Sequence, residues 1–313
     1  MHKSCRLFSL WFVLVLTTFA ASAQRQKIIL DTDIGDDIDD AYALTLALHS
    51  PEFELLGVTT AWGDTSLRAQ LVSRLLAASG AENIPVFPGI VTQSKAIFSQ
   101  RAWALAGPAP APGNAVDFLL AQAKRYPHRI TLIAIGPLTN LGAAIDREPA
   151  TFRLFNRVVL MGGSIHSGYG NPRAIPPPPP QPEYNIASDP TAARKLLTSG
   201  VPIFMMPLDS TQWKLDDNKL AQVAARSTPA TDALLVLTME WQLANHQHAP
   251  TLYDAMAVAY ALRPNICPTT PLRLQIDYKG FTRVVEGQVN AHACLKANGD
   301  GFFQLLLPRL SAH

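Results

Sequence analysis

Six aspartates crowd into one ten-residue stretch, Asp31-Thr32-Asp33-Ile34-Gly35-Asp36-Asp37-Ile38-Asp39-Asp40, directly after the apolar run Lys27-Ile28-Ile29-Leu30. Carboxylates at that density repel one another unless a cation or strong hydrogen bonds compensate. Hard divalent cations take oxygen ligands, and calcium accepts about six to eight of them. Asp39 and Asp40 also fall where a helix should begin, so favourable charge at a helix start explains part of the cluster. It does not explain all six. The stretch lacks the regular spacing and terminal Glu of an EF-hand loop, and the chain has neither a P-loop lysine nor a GxGxxG turn.

Other residues could complete such a centre. Asp254 precedes the apolar helical pattern Ala255-Met-Ala-Val-Ala-Tyr. Glu183 and Asn185 stand before Ser188-Asp189-Pro190, where they read either as a capped turn or as groups that hold hydroxyls. Trp241, Asn245, His246 and His248 lie a short way before Asp254. An aromatic face there could stack on a planar ring. The two histidines fit a solvated loop or, less economically, a small transition-metal pair.

The elements that must position these groups alternate along the chain. Apolar, β-branched runs at 27–30, 55–60, 130–135, 157–161 and 202–206 predict strands. Helical patterns fall between them: Ala41, Leu44, Thr45 and Leu48 share one face, and 67–79, 115–126, 189–199 and 254–262 follow. This predicts a single-domain α/β fold, with a mostly parallel central sheet covered by helices on both faces. In such sheets ligands bind beyond the carboxyl ends of the strands, which is where the acidic stretch falls.

Composition narrows the function classes. The 313 residues are 48% hydrophobic and only 16% charged, which excludes a disordered chain. Lys plus Arg is 26 against 24 acids, a net of +2, too weak to predict a nucleic-acid partner or an anionic membrane. Residues 1–23 read as a secretory signal: a basic start at Lys3 and Arg6, an apolar run too short to span a bilayer, and the small-residue site Ala21-Ser22-Ala23. Residues 24–313 would be the mature domain, exported to the periplasm or secreted, with no stable membrane insertion. Cleavage removes Cys5 and leaves Cys267 and Cys294, which could be bridged or free. Pro176 to Pro180 are consecutive prolines and predict a stiff surface loop.

The segment Ile29 to Leu44 resembles the N-terminal motif of the inosine–uridine-preferring nucleoside hydrolases. The resemblance continues in order through Glu54-Leu-Leu-Gly-Val-Thr-Thr with Trp62-Gly-Asp64, Ile135-Gly-Pro-Leu-Thr-Asn-Leu, Val158-Val-Leu-Met-Gly-Gly, Glu183-Tyr-Asn185, and Tyr253-Asp254-Ala-Met-Ala-Val-Ala-Tyr. It differs from the haloacid-dehalogenase type of strand–DxD motif, because Gly35 stands where those enzymes carry Thr or Val. The resemblance implies cleavage of the N-glycosidic bond of ribonucleosides to ribose and free base, with a bound calcium ion. It assigns Asp33 as metal ligand and general base. Asp39, Asp40, the Ile135 carbonyl and Asp254 become further metal ligands, with Asp37 as an alternative to one of the pair. Asp39, Asp64, Met161, Asn171, Glu183, Asn185 and Asp254 would hold the sugar, and Trp241 would meet the base. Three departures stand out. Asp64 replaces the family's Asn. Tyr253 replaces the His linked to leaving-group protonation, and so takes that catalytic role. A proline insertion lies between Asn171 and Glu183. The implied activity is therefore an exported, calcium-dependent nucleosidase taking a small nucleoside substrate, and a homo-oligomer is compatible with it. The alternatives are a hydrolase of another ribosyl compound, such as nicotinamide riboside, or a ribosyl-binding homologue without turnover.

Overall fold

In the computed structural model of the protein, described for residues 24–109, 112–171 and 174–310, ten strands form. They are β1 (Gln26–Thr32), β2 (Phe53–Thr60), β3 (Val86–Pro88), β4 (Ile130–Ala134), β5 (Arg157–Met161), β6 (Ile203–Met206), β7 (Thr270–Leu272), β8 (Leu274–Ile276), β9 (Thr282–Val284) and β10 (Ala291–Ala293). Eight of them make one sheet in the order β3-β2-β1-β4-β5-β6-β10-β7, and β8 pairs with β9 separately. All neighbours in the large sheet are parallel except β10 and β7. The expected signal segment, residues 1–23, lies outside the described residues.

The apolar runs form strands because both faces of the sheet are covered. Ile28 and Leu30 pack into one core and Ile29 into the other, since successive side chains leave a strand on opposite faces. Ile133 against Leu132, and Val159 against Val158, repeat this split. The predicted strands hold to within two residues at each end; β1 runs on to take in Asp31 and Thr32.

The helix Asp39–Leu48 differs from its one-faced expectation: Asp39 to Ala47 are all buried. It is enclosed because the sheet, the helix Ala255–Leu262 and the C-terminal helix Gly299–Leu310 surround it. The pattern over 189–199 forms the helix Pro190–Leu197, capped by Asp189, which accepts from Ala192 N at 2.9 Å, and a short unexpected helix, Tyr184–Ser188, precedes it. The helix Pro229–Asn245 is absent from the sequence expectation. Its signal was the Thr228-Pro229 start with a reciprocal Thr228–Thr231 cap. Cys267 and Cys294 are joined in a disulfide, with Cα atoms 5.7 Å apart. Among the described residues no helix is long and apolar enough to cross a membrane.

The strand order places the candidate centre. Connections run outward one way from β1 through β2 to β3, and the other way from β4 through β5 to β6. The carboxyl ends of β1 and β4 therefore open a crevice that no crossover covers.

Candidate active site

Asp33 is the first residue beyond β1, and Ile135 the first beyond β4. Their approach is very close: a Cβ on Gly136 would lie 2.8 Å from both the amide and Oδ1 of Asp33, so only glycine fits. At Gly35 the chain takes φ +124° under the ring of Phe98, another conformation that favours glycine. These turns carry the chain from β1 into the helix Asp39–Leu48, whose first two residues are Asp39 and Asp40. That helix packs on Ala255–Leu262, which Asp254 precedes. Two helix N-termini thus converge, and their partial positive charge favours carboxylates there.

The result is a group of buried carboxylates drawn from distant parts of the chain. Oxygens of Asp39, Asp40 and Asp254 lie within 4.8 Å of one another. Asp39 Oδ2 accepts from Asp254 N at 3.1 Å, and Asp40 Oδ1 accepts from the Thr32 hydroxyl at 2.5 Å. Asp33 lines the same cavity but is not one of that trio. Burial pushes all four carboxyls well above the usual range. Repulsion adds to it, from Asp40 on Asp33, Asp37 on Asp39, Asp39 on Asp40, and Asp39 on Asp254.

Arg68 is the buried cation nearby, 1% exposed. It donates to the carbonyls of Trp62, Asp33 and Ile34 and to Asp36 Oδ2 at 2.8 Å. It therefore ties the turn after β1 to the turn after β2 and pairs with Asp36, offsetting only part of the trio's charge through its attraction for Asp40. A closed set of carboxylate oxygens beside a backbone carbonyl, with no nitrogen or sulfur donor among them, suits a hard divalent cation. The donor set fits such an ion.

The cavity holds about 480 Å³. It is lined by Asp33, Asp37, Asp39, Asp40, Ile135, Met161, Glu183, Asn185, Trp241, Tyr253 and Asp254, all singled out in the sequence. Asn185 Nδ2 donates to the carbonyls of Ile135 and Met161 at 3.0 and 3.2 Å, which locks its amide across the ends of β4 and β5. Glu183 stands both at a helix start and at the cavity. It caps its helix, accepting from Asn185 N and Ile186 N, accepts also from Gly163 N, and still borders the cavity. Burial pushes Glu183 up to about 7. Burial also pushes the Tyr253 hydroxyl up to about 12, so it stays protonated at neutral pH.

Two expected sugar holders stand elsewhere. Asp64 is exposed and caps the helix Thr65–Ala78, accepting from Leu67 N at 3.0 Å. Asn171 lines a neighbouring cavity that shares Tyr253. His246 and His248 are exposed at the end of the long helix, where His248 meets Asp217 at 3.0 Å. Sequence reasoning missed Tyr169, whose hydroxyl accepts from Tyr184 N at 2.9 Å and whose ring meets Tyr253 edge-on, centroids 6.1 Å apart. Nothing in its glycine-flanked sequence marks it. Tyr184 also lines the cavity, as do Lys95, Ala96 and Ile97.

Comparison with known proteins accords with this geometry. The family described as inosine-uridine preferring nucleoside hydrolase matches residues 28–304. A pyrimidine-specific ribonucleoside hydrolase of Escherichia coli is 31% identical, over 81% of this chain and 84% of its own. Among solved structures, a plant nucleoside hydrolase superposes with a TM-score of 0.80 at 25% identity, over 92% of this chain and 99% of that one. A purine-preferring ribonucleoside hydrolase from Gardnerella vaginalis gives 0.78 at 26%, over 91% and 98%.

Proposed function

The chain belongs to the inosine-uridine preferring nucleoside hydrolase family and is an N-glycosyl hydrolase of ribonucleosides, and on that premise we propose that it works with a calcium ion held by Asp33, Asp39, Asp40, Asp254 and the Ile135 carbonyl. The observation that carries the proposal is the convergence of Asp39, Asp40 and Asp254 beside Asp33 at the crevice between β1 and β4.

Glycoside cleavage passes through an oxocarbenium-like state. A bound divalent ion supplies acidification of water and a template for diol oxygens. Asp33 accepts the proton of the attacking water, a role that needs a carboxylate held ionised. Its main chain is fixed by Arg68 and its side chain abuts Gly136, so the acceptor is placed before substrate arrives. Asn185, Glu183 and Met161 form the wall against which the ribose is held, and Asp39 and Asp254 reach its hydroxyls. Tyr253 offers its O–H to the departing base, with Trp241 as the apolar surface beneath that base.

We also assign residues 1–23 as a cleaved export signal and 24–313 as the mature enzyme. The Cys267–Cys294 disulfide supports this, since such bridges persist in oxidising compartments. Mass spectrometry of the native protein should find its N-terminus near Gln24; a cytoplasmic chain retaining Met1 would overturn it.

The test of activity is base release from a panel of purine and pyrimidine nucleosides and other ribosyl compounds, by chelated protein with and without added calcium. Release should require calcium, with about one ion per chain. Full turnover in excess chelator, or stoichiometric zinc in the native protein, would overturn the calcium assignment.

A further inference from the structure

The relatives named above differ in the base they prefer, so the base-side wall of this cavity must decide the matter here. That wall contains an acid the catalytic scheme does not use. Asp37 lines the cavity but lies outside the trio of Asp39, Asp40 and Asp254. Its charge repels that of Asp39, while the Trp241 side chain on the long helix stabilises it as a hydrogen-bond donor and the Lys214 ammonium, outside that helix, adds attraction. Trp241 is 4% exposed, and its indole N–H can only donate. Asn245 lies one turn further along the same helix face and lines the same cavity.

The backbone beneath Asp37 is clamped on both sides. Gln100, fully buried, donates Nε2 to the Asp37 carbonyl at 2.6 Å, and the Ser99 hydroxyl donates to the Asp36 carbonyl at 2.8 Å. Ile38 N donates to Asp37 Oδ1 at 2.7 Å, which fixes the carboxyl rotamer. The neighbouring Asp36 is held by Arg68. A rotamer fixed in this way presents an oxygen at a defined place, as recognition requires.

We propose that Asp37 is a specificity-determining residue, whose carboxylate accepts a hydrogen bond from an N–H on the edge of the base lying against Trp241. This rests on the placement of a ribonucleoside in this cavity. The ligands it favours are bases with an amino or imide N–H on that edge, over aglycones that carry none. Accepting from the base draws no proton onto it, so Asp37 contributes to binding and not to the departure of the leaving group. A polar group built to pair with an N–H discriminates strongly against a ligand lacking it, because the acceptor is then left unmatched.

The experiment compares Asp37→Ala and Asp37→Asn with the parent enzyme, on nucleosides and on p-nitrophenyl riboside, whose aglycone has no N–H. For Asp37→Ala, KM for N–H-bearing nucleosides should rise about 10- to 100-fold, the scale of one charge-assisted hydrogen bond. Their kcat should change only a few-fold, as expected when uniform binding is removed. The loss of kcat/KM should exceed that on p-nitrophenyl riboside by at least about tenfold. Asp37→Asn, whose amide keeps one acceptor oxygen, should lose less. Equal losses on both substrate types, or loss of bound calcium, would place Asp37 at the sugar and metal end and overturn the proposal. So would no change on either. If the parent enzyme releases no base at all, the nucleosidase scheme falls on its own. Quenching of tryptophan fluorescence by free uracil and hypoxanthine then still tests Asp37: binding weakened in Asp37→Ala supports the role, and equal binding excludes it.

Discussion

Two loops supply walls of the same cavity and are made rigid in different ways. The loop 33–38 carries Asp33, Asp36 and Asp37, groups that repel one another, and is held from outside by Arg68, Ser99 and Gln100. The segment 164–183 contains the proline run and supplies Tyr169 and Glu183. Its stiffness is largely in the chain itself, because each proline fixes its own φ. Bonds within it, from Gly168 N to the Pro178 carbonyl and from Gln181 N to the Ser164 hydroxyl, close the loop on itself, and the Asp209 carboxylate, accepting from Ile165 N and His166 N at 2.9 and 2.7 Å, and Gln212, accepting from Gly170 N at 2.9 Å, dock it. The acid loop gathers several carboxylates that repel one another, which a cation would relieve, whereas the proline segment carries a single buried acid, Glu183, at its end. Substitutions in the first should therefore act on chemistry and charge, and substitutions within the proline run itself on small increments of stability.

The sharpest break is Asp33→Ala. Losing the water's proton acceptor should lower kcat by about 10²–10⁴, the usual scale for a positioned base, and weaken calcium binding. Steady-state kinetics with calorimetric calcium titration checks it; near-normal turnover would remove Asp33 from the scheme.

Glu183 sits where the proline segment returns to the cavity, and it tests whether charge burden is confined to the acid loop. Its folded pKa of about 7 lies above the ordinary 4.5, with burial the largest cause. The fold thus disfavours its charged form. Its contribution is complete below pH 4.5 and is lost as pH rises to 7, which at about 1.4 kcal/mol per pH unit comes to roughly 3 kcal/mol. Denaturation across that range should show the parent protein losing stability relative to Glu183→Gln. Parallel pH profiles would mean that Glu183 titrates normally.

Tyr253→Phe should leave calcium binding intact and slow nucleosides about tenfold or more, while hardly slowing p-nitrophenyl riboside, which needs no proton on departure. Equal slowing of both substrates would assign Tyr253 to sugar positioning.

The smallest effect is expected at Pro177, exposed within the proline run. Pro177→Ala should cost about 0.4–1 kcal/mol through the greater freedom of the unfolded chain, with kcat within about twofold of the parent. A large loss of kcat would show that this loop, too, bears directly on the chemistry.

The sequence by itself determined the parts that local pattern controls. Buried parallel strands need unbroken apolar runs, so β1, β2, β4, β5 and β6 were legible, and with them the placement of an acidic stretch at a strand's carboxyl end. Motif order along the chain also carried Asp254, Glu183 and Asn185 to the cavity they line. Only the tertiary structure decided which groups meet. Asp39 touches Asp254 across 215 residues because two helices pack side by side, and no local spacing encodes that contact. The same packing leaves Asp37 out of the closest-packed trio and sets it near Trp241. It leaves Asp64 capping a helix, recruits Tyr169 from an unmarked loop, and closes the bond between Cys267 and Cys294. Local pattern fixes which face of an element is apolar, but the distance between two side chains on different elements is set by how those elements pack, and that distance is what chemistry requires.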